Sequence, residues 1–482
     1  MFCIYASICK MRTQELEKTY STAEVASLAN VHRDTLLRWL RQKLVKEPER
    51  DRKGWRVFSE DDARKIVHFA GSGYDISGIA EVAATYVTSS ELRTLETIDW
   101  DFAGAKTSYL THGLHPYPAK FIPQIPNALI QELSSVGETV VDIFCGSGTT
   151  LVEALTLKRN TIGIDANPLA CLITEAKTTR FNEGDQELLY TIVKNAQDLA
   201  DTLSVQEENL LFPIEPFKSA AYRPSHQAIA FWFEPFVVEE LAEILYWCRN
   251  LPTESSRNVA LAAFSSVVVA VSKQDSDTRY VRRDKNLSPG DVFKRFARSL
   301  TEATKAVAEF TEIVEPRFQS RIYQANILNA PDIGEVDLVV CSPPYPNAFS
   351  YHLYHMTRMV WLGMDQPTFK KEEIGSHRKY SNKGQNGATV DTFKNEMTSI
   401  FSSLNKYLKI NRYACFVIGD SIIKGQKIHN ADILSQSAHS CGFQEVLRIN
   451  RNIQTTKKAF NPVIGKIKRE QILVLKKLRG IK

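Results

Sequence analysis

The residues best suited to chemistry are Ser342-Pro343-Pro344-Tyr345-Pro346, which follow directly on Val336-Asp337-Leu338-Val339-Val340-Cys341. The apolar run reads as a buried strand, and two prolines stop it while holding the next carbonyls in fixed positions. An aromatic ring beside rigid acceptors can stack on a nucleobase and accept hydrogen bonds from its exocyclic NH2, which methyl transfer to that nitrogen requires. Taken alone, Pro-Pro after a strand also reads as a plain strand stop.

A second group stands earlier in the chain. Thr139-Val140-Val141-Asp142-Ile143-Phe144 is a β-rich run ending in Cys145-Gly146-Ser147-Gly148-Thr149-Thr150, ahead of a helical Leu151 to Leu157. A further strand, Asn160 to Ile164, ends at Asp165. Strand, glycine turn, helix, strand and acid make a nucleotide-cofactor unit, with the acid placed to accept hydrogen bonds from ribose hydroxyls. A dinucleotide site prefers Gly-x-Gly-x-x-Gly. The S-adenosylmethionine pattern Phe-x-Gly-x-Gly is matched by Phe144-Cys145-Gly146-Ser147-Gly148. Gly-Lys-Ser/Thr is absent, which disfavours a P-loop.

The elements that must position these loops follow from the pattern. Apolar residues recur at helical spacing from Pro123 to Leu133, after the polar and aromatic stretch His112 to Phe121. Arg321 to Ala325, Tyr413 to Asp420 and Gln471 to Leu475 read as further strands, with Ile449 to Thr455 as an antiparallel partner, closing a seven-stranded α/β sheet. About 150 residues between Asp165 and Arg321 read largely as helices, including Glu234 to Arg249 and Asn258 to Val271. Tyr351, His352, Tyr354, His355, Arg358 and Trp361 recur at helical spacing, and the expectation for both histidines is packing under the catalytic loop rather than base chemistry.

At 482 residues, 43% hydrophobic and 24% charged, the chain has room for two or three globular domains. No apolar stretch reaches about 18 residues and no export signal opens the chain, so a cytoplasmic protein is expected. Met11 could be the initiator, with the residues before it a leader. The eight cysteines include no Cys-x-x-Cys pair, which argues against zinc and a disulfide framework. Cys341 lies inside its strand without a preceding proline and is expected to be a buried small hydrophobe.

A net charge of +5 is only mildly basic, but its distribution is uneven. Basic residues gather at Arg33, Arg38, Arg41 and Arg56, at Arg279, Arg282, Arg283 and Lys285, and at Lys457, Lys458, Lys466, Lys468 and Arg469. Three clusters in a chain with a nucleobase-type loop point to phosphate contact.

From Tyr20 to Leu40, Ser21 and Glu24 form a capping-box signature before a short helix, a turn near Asn30 and a second helix. A turn leading into the short aromatic strand of Gly54-Trp55-Arg56-Val57-Phe58 follows, and then Ser59-Glu60-Asp61-Asp62, a second capped helix start. This stretch resembles the winged helix-turn-helix of MerR-like regulators over about residues 19–70. The resemblance implies double-stranded DNA as partner, with Arg33, Thr35, Arg38 and Arg56 facing it. Residues 71–100 are expected to be a linker.

The Phe-x-Gly-x-Gly and Ser-Pro-Pro-Tyr loops together resemble the amino-methyltransferases of DNA, and the Ser-Pro-Pro-Tyr variant looks like their N4-cytosine branch. The resemblance covers about residues 101–180 and 320–475. It implies a Rossmann-like methyltransferase sheet in 101–185 and 316–482, S-adenosylmethionine as cofactor, and a helical insertion over 186–315. Ser342, Pro343, Pro344 and Tyr345 would be catalytic. Lys120, Phe121, Asp142, Phe144, Gly146, Gly148, Thr149, Asp165 and Asn326 would form the cofactor side. Asn326 stands where the family usually has an acid, which leaves that contact open. Arg279, Arg282 and Arg283 make the insertion a candidate for target recognition. N6-adenine in DNA and N2-guanine in RNA remain alternative targets, as does a DNA-binding regulator with an inactive methyltransferase fold. Restriction or defence components are the further partners the resemblance suggests.

Overall fold

A computed structural model describes residues 19–29, 31, 33–41, 44–50, 56–71, 90–118, 120–208, 216–329, 331–346, 349–382, 387–453 and 469–480. The leader before Met11, Trp55, most of the expected linker and the lysines from 457 to 468 lie outside the described residues. The chain divides into two compact units, Met1–Arg93 and Thr94–Lys482.

In the first unit, strand β1 (Thr19–Tyr20) leads into the helices Thr22–Leu28 and Arg33–Arg41. Strands β2 (Glu49–Arg50) and β3 (Arg56–Ser59) and the helix Glu60–Gly71 complete it. The three strands pair antiparallel in the order β1-β3-β2. The capping box forms: the Glu24 amide donates to Ser21 Oγ at 3.3 Å and the Ser21 amide to Glu24 Oε2 at 2.7 Å. Ser59 caps the third helix in the same way, accepting from the Asp62 amide at 3.2 Å. Val25, Ala26, Leu36, Leu40, Phe58 and Ile66 form a common buried core. Each helix thus contributes apolar residues at helical spacing, and β3 supplies Phe58.

The second unit is built on seven strands: β4 (Thr139–Asp142), β5 (Asn160–Asp165), β8 (Ser320–Gln324), β9 (Val336–Cys341), β10 (Leu408–Gly419), β13 (Phe443–Asn452) and β14 (Arg469–Lys477). The short hairpins β6 (Gln274–Ser276) with β7 (Arg279–Arg282) and β11 (Ser421–Ile423) with β12 (Gln426–Ile428) stand apart from it. Sheet order is β13-β14-β10-β9-β4-β5-β8. Neighbours from β10 to β8 run parallel, whereas β14 lies antiparallel to both β10 and β13. All six residues of β9 are buried, as a parallel strand covered on both faces requires. The antiparallel partner of β14 begins at Phe443, earlier than the expected Ile449, because the apolar alternation continues through a bulge between Glu445 and Leu447.

The segment between β5 and β8 is helical as expected, with Asp185–Glu208, Pro235–Arg249, Glu254–Val268 and Asp291–Ile313 as its long helices. These helices bury their apolar faces in one cluster with Leu114, Ala176 and Trp361, so the insertion shares its core with the rest of the unit. Glu240 joins two of them: its carboxylate accepts from the Gly290 amide at 2.7 Å and the Val292 amide at 3.2 Å, at the start of helix Asp291–Ile313.

One expectation fails locally. The helix Ser90–Thr97 occupies part of the stretch read as linker, with Leu92 and Leu95 buried at i, i+3. Its Ser and Thr content concealed a short amphipathic helix.

Candidate active site

The two loops end neighbouring strands. β4 runs beside β9, with Val140 opposite Leu338 and Val141 opposite Val339, and β5 flanks β4 on its other side. The chain proceeds from β4 outward to β5 and β8, then returns to place β9 on the opposite side of β4. That reversal opens a crevice at the carboxyl ends of β4 and β9, where ligands of open parallel sheets sit. With strands about 4.8 Å apart, the ends of β9, β4 and β5 span roughly 10 Å. The serine loop, the glycine loop and Asp165 therefore share one rim.

The glycine loop is held by contacts from its own neighbourhood. The Gly146 amide donates to Asp165 Oδ2 at 2.9 Å, and the Asn167 amide to Asp165 Oδ1 at 2.8 Å. Thr174 Oγ1 donates to the Gly146 carbonyl at 2.9 Å. Gly148 has a φ of +78°, and a Cβ there would stand 2.9 Å from Thr174 Cγ2, so both backbone and space demand glycine. Asp142 accepts from the Phe144 amide at 3.0 Å and from Thr150 Oγ1 at 2.7 Å. Burial pushes the Asp142 carboxyl up to about 7, against the pull of its two donors. Asp142 and Thr149 are both buried and shape the loop from within. Asp165 is raised to about 6 by burial, with Glu373 adding to the rise and the Asn167 and Gly146 amides opposing it.

The stretch before the sheet reaches the same loop. Tyr117 lies where a Cβ on Gly146 would be 3.7 Å from its ring, and Asn167 Nδ2 donates to its hydroxyl at 3.5 Å. Lys120 turns back on its own segment, donating to the His112 carbonyl at 3.0 Å. Phe121 and Phe144 are half-buried.

The serine loop is held from far away in sequence. Ser342 Oγ donates to the Val417 carbonyl on β10 at 3.2 Å, which leaves its oxygen lone pairs as acceptors. The Tyr345 hydroxyl donates to Glu470 Oε1 on β14 at 2.7 Å. Burial first, and then the Glu470 charge, hold this phenol well above its ordinary value, so it stays protonated. Glu470 in turn pairs with the buried Arg451, whose Nε donates to the Trp100 carbonyl at 3.0 Å. Gly375, with φ +73°, packs beneath the loop: a Cβ there would stand 3.0 Å from the Pro344 carbonyl oxygen and 3.1 Å from that of Tyr345.

Glu373 fixes this glycine turn. Its carboxylate accepts from the Tyr351 amide and from His352 Nδ1, each at 2.5 Å, within buried surroundings. Asn326 Nδ2 donates to the Glu372 carbonyl at 3.2 Å, and its oxygen accepts from the Leu328 amide at 3.0 Å. Both polar ends of Asn326 thus have local partners that brace this segment. Tyr351 stacks on Tyr117 at 5.9 Å between centroids, joining the serine-loop side to the glycine-loop side. His355 is buried edge-on to Tyr117 at 5.0 Å, and burial together with Arg358 keeps it neutral. These contacts agree with packing as the role of that histidine.

Of the basic residues singled out, Arg279 and Arg283 pair with Asp275 at 3.2 and 3.5 Å, and Arg282 lies 5.1 Å over the Phe231 ring. All three are exposed on or just beyond the β6–β7 hairpin. In the first unit Arg33 is exposed, Thr35 half-buried, and Arg56 pairs with Glu47 at 2.8 Å. The Arg38 side chain lies outside the described residues.

Sequence reasoning missed Tyr117, Asn167, Tyr351, Glu373, Gly375 and Glu470 as site residues. Asn167-Pro168 carried a usable signal, since Asn as N-cap with Pro at the first helical position starts the helix Pro168–Thr178 directly after Asp165. Glu470 carried none. Among the described residues, no group of three or more His, Cys, Asp or Glu side chains could hold a metal ion, and no helix is long and apolar enough to cross a membrane. The six described cysteines, Cys341 included, are buried free thiols.

Residues 14–176 match the N6/N4 methyltransferase family, described as DNA methylase. The chain is 34% identical over 117 residues to the Type II methyltransferase M.MjaII of Methanocaldococcus jannaschii, covering 23% of this chain and 22% of that one. It is 31% identical over 175 residues to the Type II methyltransferase M.MvaI of Kocuria varians, covering 36% of each. With the Type II methyltransferase M.BsoBI of Geobacillus stearothermophilus it shares 24% identity over 343 residues, 65% of this chain and 63% of the relative. The matches thus span between about a fifth and two thirds of these relatives' lengths. These similarities support kinship with the N4/N6 DNA methyltransferases.

Proposed function

We propose that this chain is an S-adenosylmethionine-dependent DNA methyltransferase that modifies an exocyclic amine, the N4 of cytosine. The observation that carries this reading is the pairing of β4 with β9, which sets the glycine loop and the Ser342–Tyr345 loop on one crevice.

The residues present fit the cofactor. The Asp165 carboxylate uses one acceptor site on each oxygen within the fold, and a carboxylate has about four, so ribose hydroxyls can bond to the remainder. Phe144, Gly146 and Gly148 would line the cofactor, with Lys120, Phe121 and Tyr117 closing over it, while Asp142 and Thr149 hold the loop. When bound, S-adenosylmethionine supplies a methyl group activated by its sulfonium.

The target nitrogen is a poor nucleophile because its lone pair is delocalised into the ring. Ser342 Oγ and the Pro343 carbonyl would accept its two N–H bonds, so that the nitrogen rehybridises and its lone pair is freed. Tyr345 would stack on the extruded base, offsetting part of an unstacking cost of a few kcal/mol. Its hydroxyl, bonded to Glu470, keeps the ring in one orientation for that role. No covalent enzyme intermediate is needed, and the Cys341 thiol, held protonated by burial within β9, is unsuited to one.

In the same reading, the helices Thr22–Leu28 and Arg33–Arg41 with β3 form a winged helix-turn-helix that presents Arg33, Thr35, Arg38 and Arg56 to DNA. The helical insertion presents Arg279, Arg282 and Arg283. The test is incubation with methyl-labelled cofactor and duplex DNA, followed by nucleoside analysis. Label in N4-methylcytosine is expected. Label only in N6-methyladenine, or only in RNA, would replace cytosine as the target. Retained DNA binding without cofactor binding would make the chain a regulator.

A further inference from the structure

Beside the serine loop lies a cleft of about 480 Å3 that the proposed reaction does not use. One wall is the β6–β7 hairpin, contributing Thr278 and Tyr280; the other is formed by Ser350, Tyr354 and the start of the helix His377–Ser381. Among the described residues, no acidic one lines it. Its one permanent cation among them is Arg378, an exposed side chain whose guanidinium has no ion-pair partner among the described residues. The base of this arginine is fixed, because its backbone amide donates to Ser350 Oγ at 3.2 Å.

The cleft is also coupled to the catalytic loop. Ser350 bonds Ser376 at 3.2 Å, and Ser376 follows the glycine that packs beneath the Pro344 and Tyr345 carbonyls. A cation, two phenols and several hydroxyls around an open, acid-free cleft make a set of donors suited to a phosphodiester, for which arginine is the preferred partner. Arg279 and Arg283 on the hairpin are already paired with Asp275, and among the described residues that line the cleft Arg378 is the uncommitted charge.

We propose that this cleft holds a backbone phosphodiester of the substrate strand next to the extruded nucleotide, with Arg378 as its cation. The identity of the strand as DNA rests on the methyltransferase reading; the phosphodiester contact itself does not. Its role is positioning: it sets the register of the strand so that one base reaches Tyr345.

The test measures duplex binding by the full chain as a function of salt, for wild type, Arg378→Gln and Arg378→Lys, together with cofactor binding. Removing one phosphate contact should reduce the log–log salt slope by about 0.9, weaken binding by a similar factor for every DNA sequence, and raise KM for DNA more than it lowers kcat. Arg378→Lys should restore the slope, and cofactor affinity should be unchanged in all three proteins. An unchanged slope in Arg378→Gln would overturn the inference, as would a loss confined to one DNA sequence, which marks base readout. An arginine-dependent slope seen with RNA alone would overturn DNA as the strand. If wild type binds DNA with the arginine-dependent slope yet transfers no methyl group, the cleft stands and the methyltransferase reading falls.

Discussion

The two loops on this rim are built in opposite ways. The glycine loop is tied down by Asp142, Asp165, Asn167 and Thr174, with bonds to residues no more than 28 positions away. The serine loop depends on Val417 and Glu470, 75 and 125 positions from their partners, and on the Gly375 turn. One end of the site is thus a local unit, whereas the other is an assembly of four chain segments, the loop itself and the three that hold it. Damage to the first should appear in cofactor binding, and damage to the second in the transfer step with cofactor binding intact.

The sharpest test is Ser342→Ala, which should lower the transfer rate by about 10²–10³-fold, the usual loss for a donor or acceptor used in the transition state. Cofactor affinity, read by equilibrium dialysis, should move less than threefold by the same logic. On the same half, Gly375→Ala comes next. A Cβ 3.0 Å from the Pro344 carbonyl oxygen makes the loop give by a few tenths of an ångström, and the φ of +73° strains any side chain, so the transfer rate should fall by roughly 10-fold, short of the about 100-fold cost of a 1 Å misplacement. If this variant loses cofactor affinity instead, the two halves are not separable.

Asp165→Asn should act on the other half, weakening cofactor binding by about 10–100-fold through loss of charge-assisted hydrogen bonds, with a smaller effect on the transfer rate at saturation. The pH dependence has a definite sign. With the Asp165 carboxyl raised to about 6 and its ionised form the better acceptor, the part of the affinity that depends on Asp165 should be level above that pH and fall as pH drops through it, and the Asn variant separates it from any change due to Asp142 at about 7. The fall should approach about tenfold per unit, and the Asn variant should not show it. The smallest effect is expected for Tyr345→Phe, which keeps the ring and loses the bond to Glu470. A rate loss of about 3–10-fold, in line with one hydrogen bond, would show that the tether steadies the ring without being essential to it.

The same contrast explains what the sequence disclosed. Strands β4, β5 and β9 were legible because each is an apolar run that ends abruptly in glycine, acid or proline, and capping at Ser21 and Ser59 was legible because its partners lie three residues on. The helix Ser90–Thr97 was hidden by a composition typical of linkers. Glu373 and Glu470 carried no signal, since nothing nearby in sequence shows that folding buries the first beside Tyr351 and sets the second against Tyr345. Glu240 is a similar case, a helix cap supplied from 50 positions away.

The position of β14 also orders events during synthesis. Tyr345 precedes Glu470 by 125 residues. At roughly 5–20 residues per second, that gap is about 6–25 s of translation. Through that interval the glycine loop, whose ties lie within a few dozen residues, has all its partners, while the aromatic clamp lacks its tether. β14 must then enter between β10 and β13, both synthesised before it. On the proposed reading, a ribosome-bound chain should therefore gain the means to hold a cofactor before it gains a firmly held ring at Tyr345.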